Sequence, residues 1–330
     1  MQFLGQTIHP LGMGCWPIGG PMFAGEMSVG YTGSDDATSL RTIHAALDHG
    51  ITLFDTAAAY GAGHSEVLLG QALDDRPDAL VITKIGITID EVTKQLSGQD
   101  DDPATVMPAI DACLRRLNRD TIDLLLLHQN ARSAEEAAAF FDEMEVARSM
   151  GKIRSYGWST DFSASAATMA NRDGFVAVEH AMNVFIDTPR IQQTLQNTGL
   201  TALIRSPLAM GLLSGKYDTT STMPPADIRA NAQLEWADYF VNGRPNARFI
   251  TMLDAIRDLL TTDGRTPVQG ALSWLWAKGP TNIPVPGART ENQIAGIAGA
   301  LAHGPLPASV MADIETFIPR PLADEPDRER

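Results

Sequence analysis

Four side chains in the first half of the chain could share acid–base chemistry: Asp55, Tyr60, Lys84 and His128. The stretch Gly50-Ile51-Thr52-Leu53-Phe54-Asp55-Thr56-Ala57-Ala58-Ala59-Tyr60-Gly61 runs from an apolar segment into a turn, with an acid at its tip and a phenol soon after. Two more apolar segments end in Lys84 and His128. A phenol that ionises near pH ~10 is a poor acid at neutrality, and a nearby ammonium lowers that value by favouring phenolate. Lys84 can supply the ammonium, Asp55 can balance it if it is buried, and His128 can donate a hydrogen bond to an oxygen that gains charge. The set amounts to a general acid plus an oxyanion site, and it lacks only a source of hydride. Taken singly, each residue type is more often a cap, an ion pair or a satisfied polar group.

The set works only if one scaffold brings it together. Short apolar runs alternate with amphipathic segments almost from end to end, the pattern of repeated β-α units around a parallel sheet. Strands are predicted at Leu11–Cys15, Ile51–Phe54, Leu80–Lys84, Ile122–His128, Ile153–Ser159, Phe175–His180, Thr201–Ser206 and Asn282–Val285. Several lack polar alternation, as strands covered on both faces do. Helices are predicted at Ser34–His49, Ser65–Leu73, Pro103–Leu117, Ser133–Met150, Ser163–Asn171, Pro189–Thr198, Pro267–Lys278 and Glu291–Leu301. Ser34 before Asp35-Asp36, and Ser133 with Glu136 three residues on, are N-terminal capping signals. Eight of each predict a closed (β/α)8 barrel of the TIM type, one domain over residues 1–330 with a polar tail from about 323 to 330.

Two segments break the repeat. Gly19–Gly33 is Gly-rich and carries Met22, Phe23, Met27 and Tyr31; Tyr217–Asn246 carries Trp236, Tyr239 and Phe240. Both follow strands, which puts them as extended loops at the C-terminal rim, where barrels hold their active sites. His180 reads as a satisfied core histidine.

Bulk composition narrows the partners. The chain has 330 residues, is 44% hydrophobic and carries a formal net charge of −15. Acids outnumber bases 40 to 25, which argues against nucleic acid and anionic membranes. No apolar run approaches the ~20 residues of a membrane span, and two cysteines, Cys15 and Cys113, suggest no disulfide framework. The expectation is a soluble cytoplasmic protein that binds no metal.

Asp55, Tyr60, Lys84 and His128, in this order and in these contexts, resemble the catalytic tetrad of the aldo-keto reductase superfamily. Further similar segments are Gly12-Met13-Gly14-Cys15-Trp16, Gly157-Trp158-Ser159, Ser206-Pro207-Leu208-Ala209-Met210-Gly211-Leu212-Leu213-Ser214-Gly215-Lys216 and Pro284-Val285-Pro286-Gly287-Ala288-Arg289. The resemblance spans nearly the whole chain. It implies reduction of aldehydes or ketones with Tyr60 as acid and NADPH as preferred cofactor, NADH being the alternative. No Gly-x-Gly-x-x-Gly opens a βαβ unit, in keeping with a nicotinamide held across a barrel mouth instead.

By the same resemblance, Gly14, Cys15, Trp16 and Asp55 border the cofactor, while Ser159, Thr160 and Glu179 stand where its carboxamide is gripped. Arg205 takes the place of a ring that stacks on the nicotinamide. Ser206, Pro207, Leu208, Gly211, Leu213, Ser214 and Lys216 belong to the loop over the pyrophosphate. Pro286, Gly287, Ala288, Arg289 and Gln293 would meet the 2′-phosphate end, where a guanidinium forks onto phosphate. Thr160, Glu179 and Arg205 depart from the common pattern, which has Asn, Gln and an aromatic there; an ionised Glu179 accepts hydrogen bonds and cannot donate them. Trp16, Phe23, Tyr60, His128 and Trp236 are expected to line the pocket of a small-molecule carbonyl substrate. The other readings are a cofactor-sensing regulatory subunit, as in potassium-channel β-subunits of this fold, and a barrel enzyme in which Lys84 forms a Schiff base.

Overall fold

A computed structural model of the protein describes residues 1–231 and 238–320. Its central sheet has eight parallel strands: Met13–Gly14 (β1), Leu53–Asp55 (β2), Leu80–Ile85 (β3), Ile122–Leu127 (β4), Ile153–Ser159 (β5), Phe175–Ala181 (β6), Thr201–Arg205 (β7) and Asn282–Pro284 (β8). Each pairs with its sequence neighbour. The two ends of the sheet then meet: Gly12 N donates to Pro284 O (3.0 Å), Gly14 N donates to Pro286 O (2.9 Å), and Gly14 bridges Gly287 in parallel. Closure leaves no unpaired sheet edge, so the sheet forms the wall of a (β/α)8 barrel.

Side chains on a strand alternate between faces, and this sorts the core into two parts. Leu53, Leu80, Ile82, Leu124, Leu126, Ala177, Leu203 and Ile283 fill the barrel interior. A short N-terminal hairpin, Gln2–Phe3 with Gln6–Thr7, adds Phe3 and Ile8 to this inner cluster. The outward residues of the strands pack under the helices, with Phe141 in edge or stacked contact with Tyr156, Trp158 and Phe175. Ser133 and Glu136 cap Ala134–Ser149 reciprocally, as their spacing predicts. At the first helix the cap is Asp35, which accepts from Thr38 N, and not Ser34 one residue earlier.

Two helices lie outside the eightfold repeat. Ala247–Leu260 is capped by Asn246 and buries Phe249, Leu253, Ile256 and Leu260, a single stripe of helical spacing. Ala308–Phe317 follows the last repeat. A strict count of eight helices had no slot for either. The 87–99 region forms a hairpin, Ile87–Asp90 with Gln95–Gln99, which joins Phe23–Ala24 and Met27–Ser28 in a small four-stranded sheet. The Gly-rich segment is thus anchored at its middle. No helix among the described residues is long and apolar enough to cross a membrane.

Candidate active site

Alternation along the strands decides what faces the barrel mouth. Two residues beyond an inward apolar side chain, the next inward position lies at the C-terminal end. Leu53 is followed by Asp55, Ile82 by Lys84, Leu126 by His128, Ala177 by Glu179 and Leu203 by Arg205. Five polar side chains, from β2, β3, β4, β6 and β7, therefore ring one rim. Tyr60 comes from the turn after β2. That turn is pinned by close backbone contact: Gly61 has φ +61°, and a Cβ there would fall 1.8 Å from Gly19 O. Only glycine allows this approach between the two rim loops.

Lys84 lies at the centre and is buried. Its Nζ donates to Asp55 Oδ1 (2.6 Å), Thr56 O (2.9 Å) and Tyr60 Oη (3.3 Å). Glu179 Oε2 is a second carboxylate oxygen, 3.2 Å from the same nitrogen, though off the line of a hydrogen bond. Burial disfavours a charged lysine, but Asp55 and Glu179 outweigh it and hold the ammonium above its usual range. Asp55 is pushed upward in turn, by burial and then by Glu179, against the pull of Lys84. Trp16 stacks on Tyr60 at 5.7 Å between centroids, and His128 meets Tyr60 edge-on at 6.0 Å.

The phenol does not follow the simple expectation. Burial raises its pKa most, Lys84 pulls it down, and Asp55 and Glu179 push it back up, so Tyr60 ends above the ordinary range. Lys84 does pull Tyr60 toward phenolate, as expected, but burial, joined by the two carboxylates, outweighs it. Tyr60 stays protonated at neutral pH. His128 is lowered to about 3 by burial, Lys84 and Arg205, so its ring is neutral, and its Nδ1 is buried with no protein hydrogen-bond partner.

These groups open into a cavity of about 760 Å³. Of the expected cofactor residues, Gly14, Trp16, Asp55, Ser159, Glu179, Arg205, Ser206, Pro207, Leu208, Gly211, Ser214, Lys216, Gly287, Arg289 and Gln293 line it. Cys15, Thr160, Leu213, Pro286 and Ala288 are not among the lining residues. Cys15 and Leu213 are packed in the core, and the Thr160 hydroxyl donates to Asn130 O (2.8 Å). Of the expected substrate residues, Trp16, Tyr60 and His128 line the cavity; Phe23 does not, its neighbours Met22 and Ala24 do, and Trp236 lies outside the described residues. His180 is buried, with Nε2 2.9 Å from Gln192 Nε2. Arg205 is fixed by Asp161 Oδ2 (2.5 Å), which also receives Asn130 Nδ2 (3.2 Å).

Sequence reasoning missed the hairpin's share of the wall, Ile87, Leu96 and Gln99. The signal was there in the alternation Ile87-Thr88-Ile89-Asp90. It also missed how the two long loops are joined. Ile228 N donates to Gly30 O (2.9 Å), and the Arg229 guanidinium binds Asp227 (2.7 Å) and Tyr217 Oη (2.7 Å) while packing over Tyr31 (5.3 Å). Such long-range pairing leaves no local spacing to read. No cluster of metal-ligating residues is found among the described residues.

Ser206, Ala209 and Met210 hold left-handed backbone although none is glycine, and with Gly211 they form a tight loop on the cavity wall. Backbone in this region costs free energy and collects at ligand clamps. Glu179 and His128 line the same cavity as this loop.

A family model described as "Aldo/keto reductase family" matches residues 10–319. The chain is 29% identical to "Aldo-keto reductase YhdN" of Bacillus subtilis (strain 168), over 95% of this chain and 91% of that protein. It is also 29% identical to the "NADH-specific methylglyoxal reductase" of Escherichia coli (strain K12), over 68% and 71%. Among solved structures, the glycerol dehydrogenase AKR11B4 from Gluconobacter oxydans superposes with a TM-score of 0.78 at 28% identity, covering 97% of this chain and 95% of that one. The chain belongs to the aldo/keto reductase family, and is an oxidoreductase on that ground.

Proposed function

We propose that this protein reduces aldehydes or ketones to alcohols with NADPH, Tyr60 giving the proton. The observation that carries the reading is the 3.3 Å contact between Lys84 Nζ and Tyr60 Oη at the floor of the cavity. When bound, the nicotinamide supplies the hydride. Tyr60 donates its proton to the carbonyl oxygen, and the resulting phenolate rests beside the Lys84 ammonium until solvent returns a proton. His128 is neutral and can polarise the carbonyl through a ring N–H. Water is kept from the reacting atoms by Trp16 stacked on Tyr60 and by the joined rim loops.

Trp16, stacked on Tyr60, and Met22, Val29, Ile87 and Leu96 give the cavity an apolar share of its wall, which suits a carbonyl with an apolar substituent, such as an aromatic aldehyde. At the other end Arg289 favours NADPH. Its NH1 donates to Thr32 O (2.6 Å), which aims the guanidinium and leaves its other donors for a phosphate. Purified protein should consume NADPH when benzaldehyde is added. Arg289→Ala should raise the KM for NADPH about 10- to 100-fold, since a hydrogen bond to a charged group is worth roughly 1.5–3 kcal/mol, and leave the KM for NADH nearly unchanged. An equal effect on both cofactors would remove Arg289 from phosphate recognition.

A further inference from the structure

The reading of Tyr60 as proton donor leaves one charge unaccounted for. Lys84 carries one positive charge and has two carboxylates within ion-pair distance, Asp55 at 2.6 Å from β2 and Glu179 at 3.2 Å from β6. All three side chains are sealed, with 0% exposure for Lys84, 5% for Asp55 and 1% for Glu179. Among the described residues, the other charged group facing the cluster is Arg205 on β7, and it is matched by Asp161 at 2.5 Å. The His128 imidazole just beyond β4, the Tyr60 phenol and the buried Cys15 thiol also face the cluster, and all three are neutral at pH ~7. One carboxylate balances Lys84, and above neutral pH, where Asp55 is ionised despite its raised pKa, the second is in surplus. Asp55 makes the hydrogen bond to Nζ, whereas Glu179 Oε2 makes none and lines the cavity, so Glu179 is the surplus group.

We propose that Glu179 sets how firmly the site holds the Tyr60 proton and which cofactor charge it prefers: its negative charge opposes ionisation of the Tyr60 hydroxyl and favours a cationic over a neutral nicotinamide in the cavity. Tyr60 Oη lies 3.3 Å and Glu179 Oε2 3.2 Å from the same nitrogen, so the two are within about 6.5 Å of each other. A unit charge at that distance, at an effective dielectric of about 20, moves a titration by roughly two pH units. Glu179 is thus a positioning residue that acts through charge on Tyr60 and on the bound cofactor.

The test is Glu179→Gln, which keeps shape and removes the charge, with Glu179→Met as a second neutral replacement. Two readouts do not need turnover. Phenolate absorbance in the cofactor-free protein, taken as the difference from Tyr60→Phe in the same background, should begin to rise about two pH units lower in the Glu179 variants. Direct binding should show the affinity for NADP+ falling about tenfold relative to that for NADPH. If either Tyr60 ionisation or the ratio of the two affinities is unchanged in both variants, the proposal is overturned and Glu179 is only a hydrogen-bond acceptor. A protein that passes both measurements yet reduces no carbonyl would refute the activity reading while leaving the charge argument standing.

Discussion

Tyr60→Phe is expected to lower kcat for carbonyl reduction by about 10²- to 10⁴-fold, the usual range for loss of a positioned general acid. The substitution removes one oxygen and keeps the ring that stacks against Trp16 at 5.7 Å, so the pocket retains its shape. Affinity for NADPH should change less than about threefold, since Tyr60 gives its proton to the substrate and holds no charge that the cofactor would feel. Steady-state rates and fluorescence titration separate the two effects. A variant that turned over at more than a tenth of the normal rate would mean that another group delivers the proton.

The second large effect concerns Lys84→Met. Removing the ammonium leaves Asp55 and Glu179 buried and unpaired beside each other, which at neutral pH costs about 3–5 kcal/mol in stability. Activity should fall as well, because nothing then stabilises the phenolate left after proton donation. The stability loss has a definite pH dependence. Two carboxylates without a counter-ion hold their folded-state pKa above the unfolded value of about 4, so their folded form is favoured by protonation. Their penalty is absent below about pH 4 and grows as pH rises through the raised folded values. Melting curves should show the variant close to the parent near pH 4 and furthest from it near pH 8. An equal deficit at both would locate the damage in packing and not in charge.

Much of this site is legible in the sequence because barrel geometry turns alternation into position. Once Leu53, Ile82 and Leu126 are read as inward residues, Asp55, Lys84 and His128 two places on must face the same rim. The same rule brings in Glu179 and Arg205. Local spacing does not encode what comes from distant chain segments. The hairpin from Ile87 to Gln99 becomes part of the cavity wall only by pairing with Phe23, and the rim loops meet through Ile228 and Gly30, about two hundred residues apart. The helix Ala247–Leu260 was visible as an apolar stripe but fell outside the eightfold repeat. The sign of the Tyr60 shift was illegible for another reason: it depends first on how deeply the phenol is buried and then on the balance of three charges around one nitrogen, and residue types alone give neither depth nor distance.

That Tyr60, and not the imidazole, is the proton source is tested most directly by kcat/KM for carbonyl reduction as pH rises. With Tyr60 as donor the value should hold its maximum up to at least about pH 9, since a phenol raised by burial stays protonated there. Were His128 the donor, its lowered pKa of about 3 would leave it deprotonated throughout, and the value would fall about tenfold per pH unit across the neutral range.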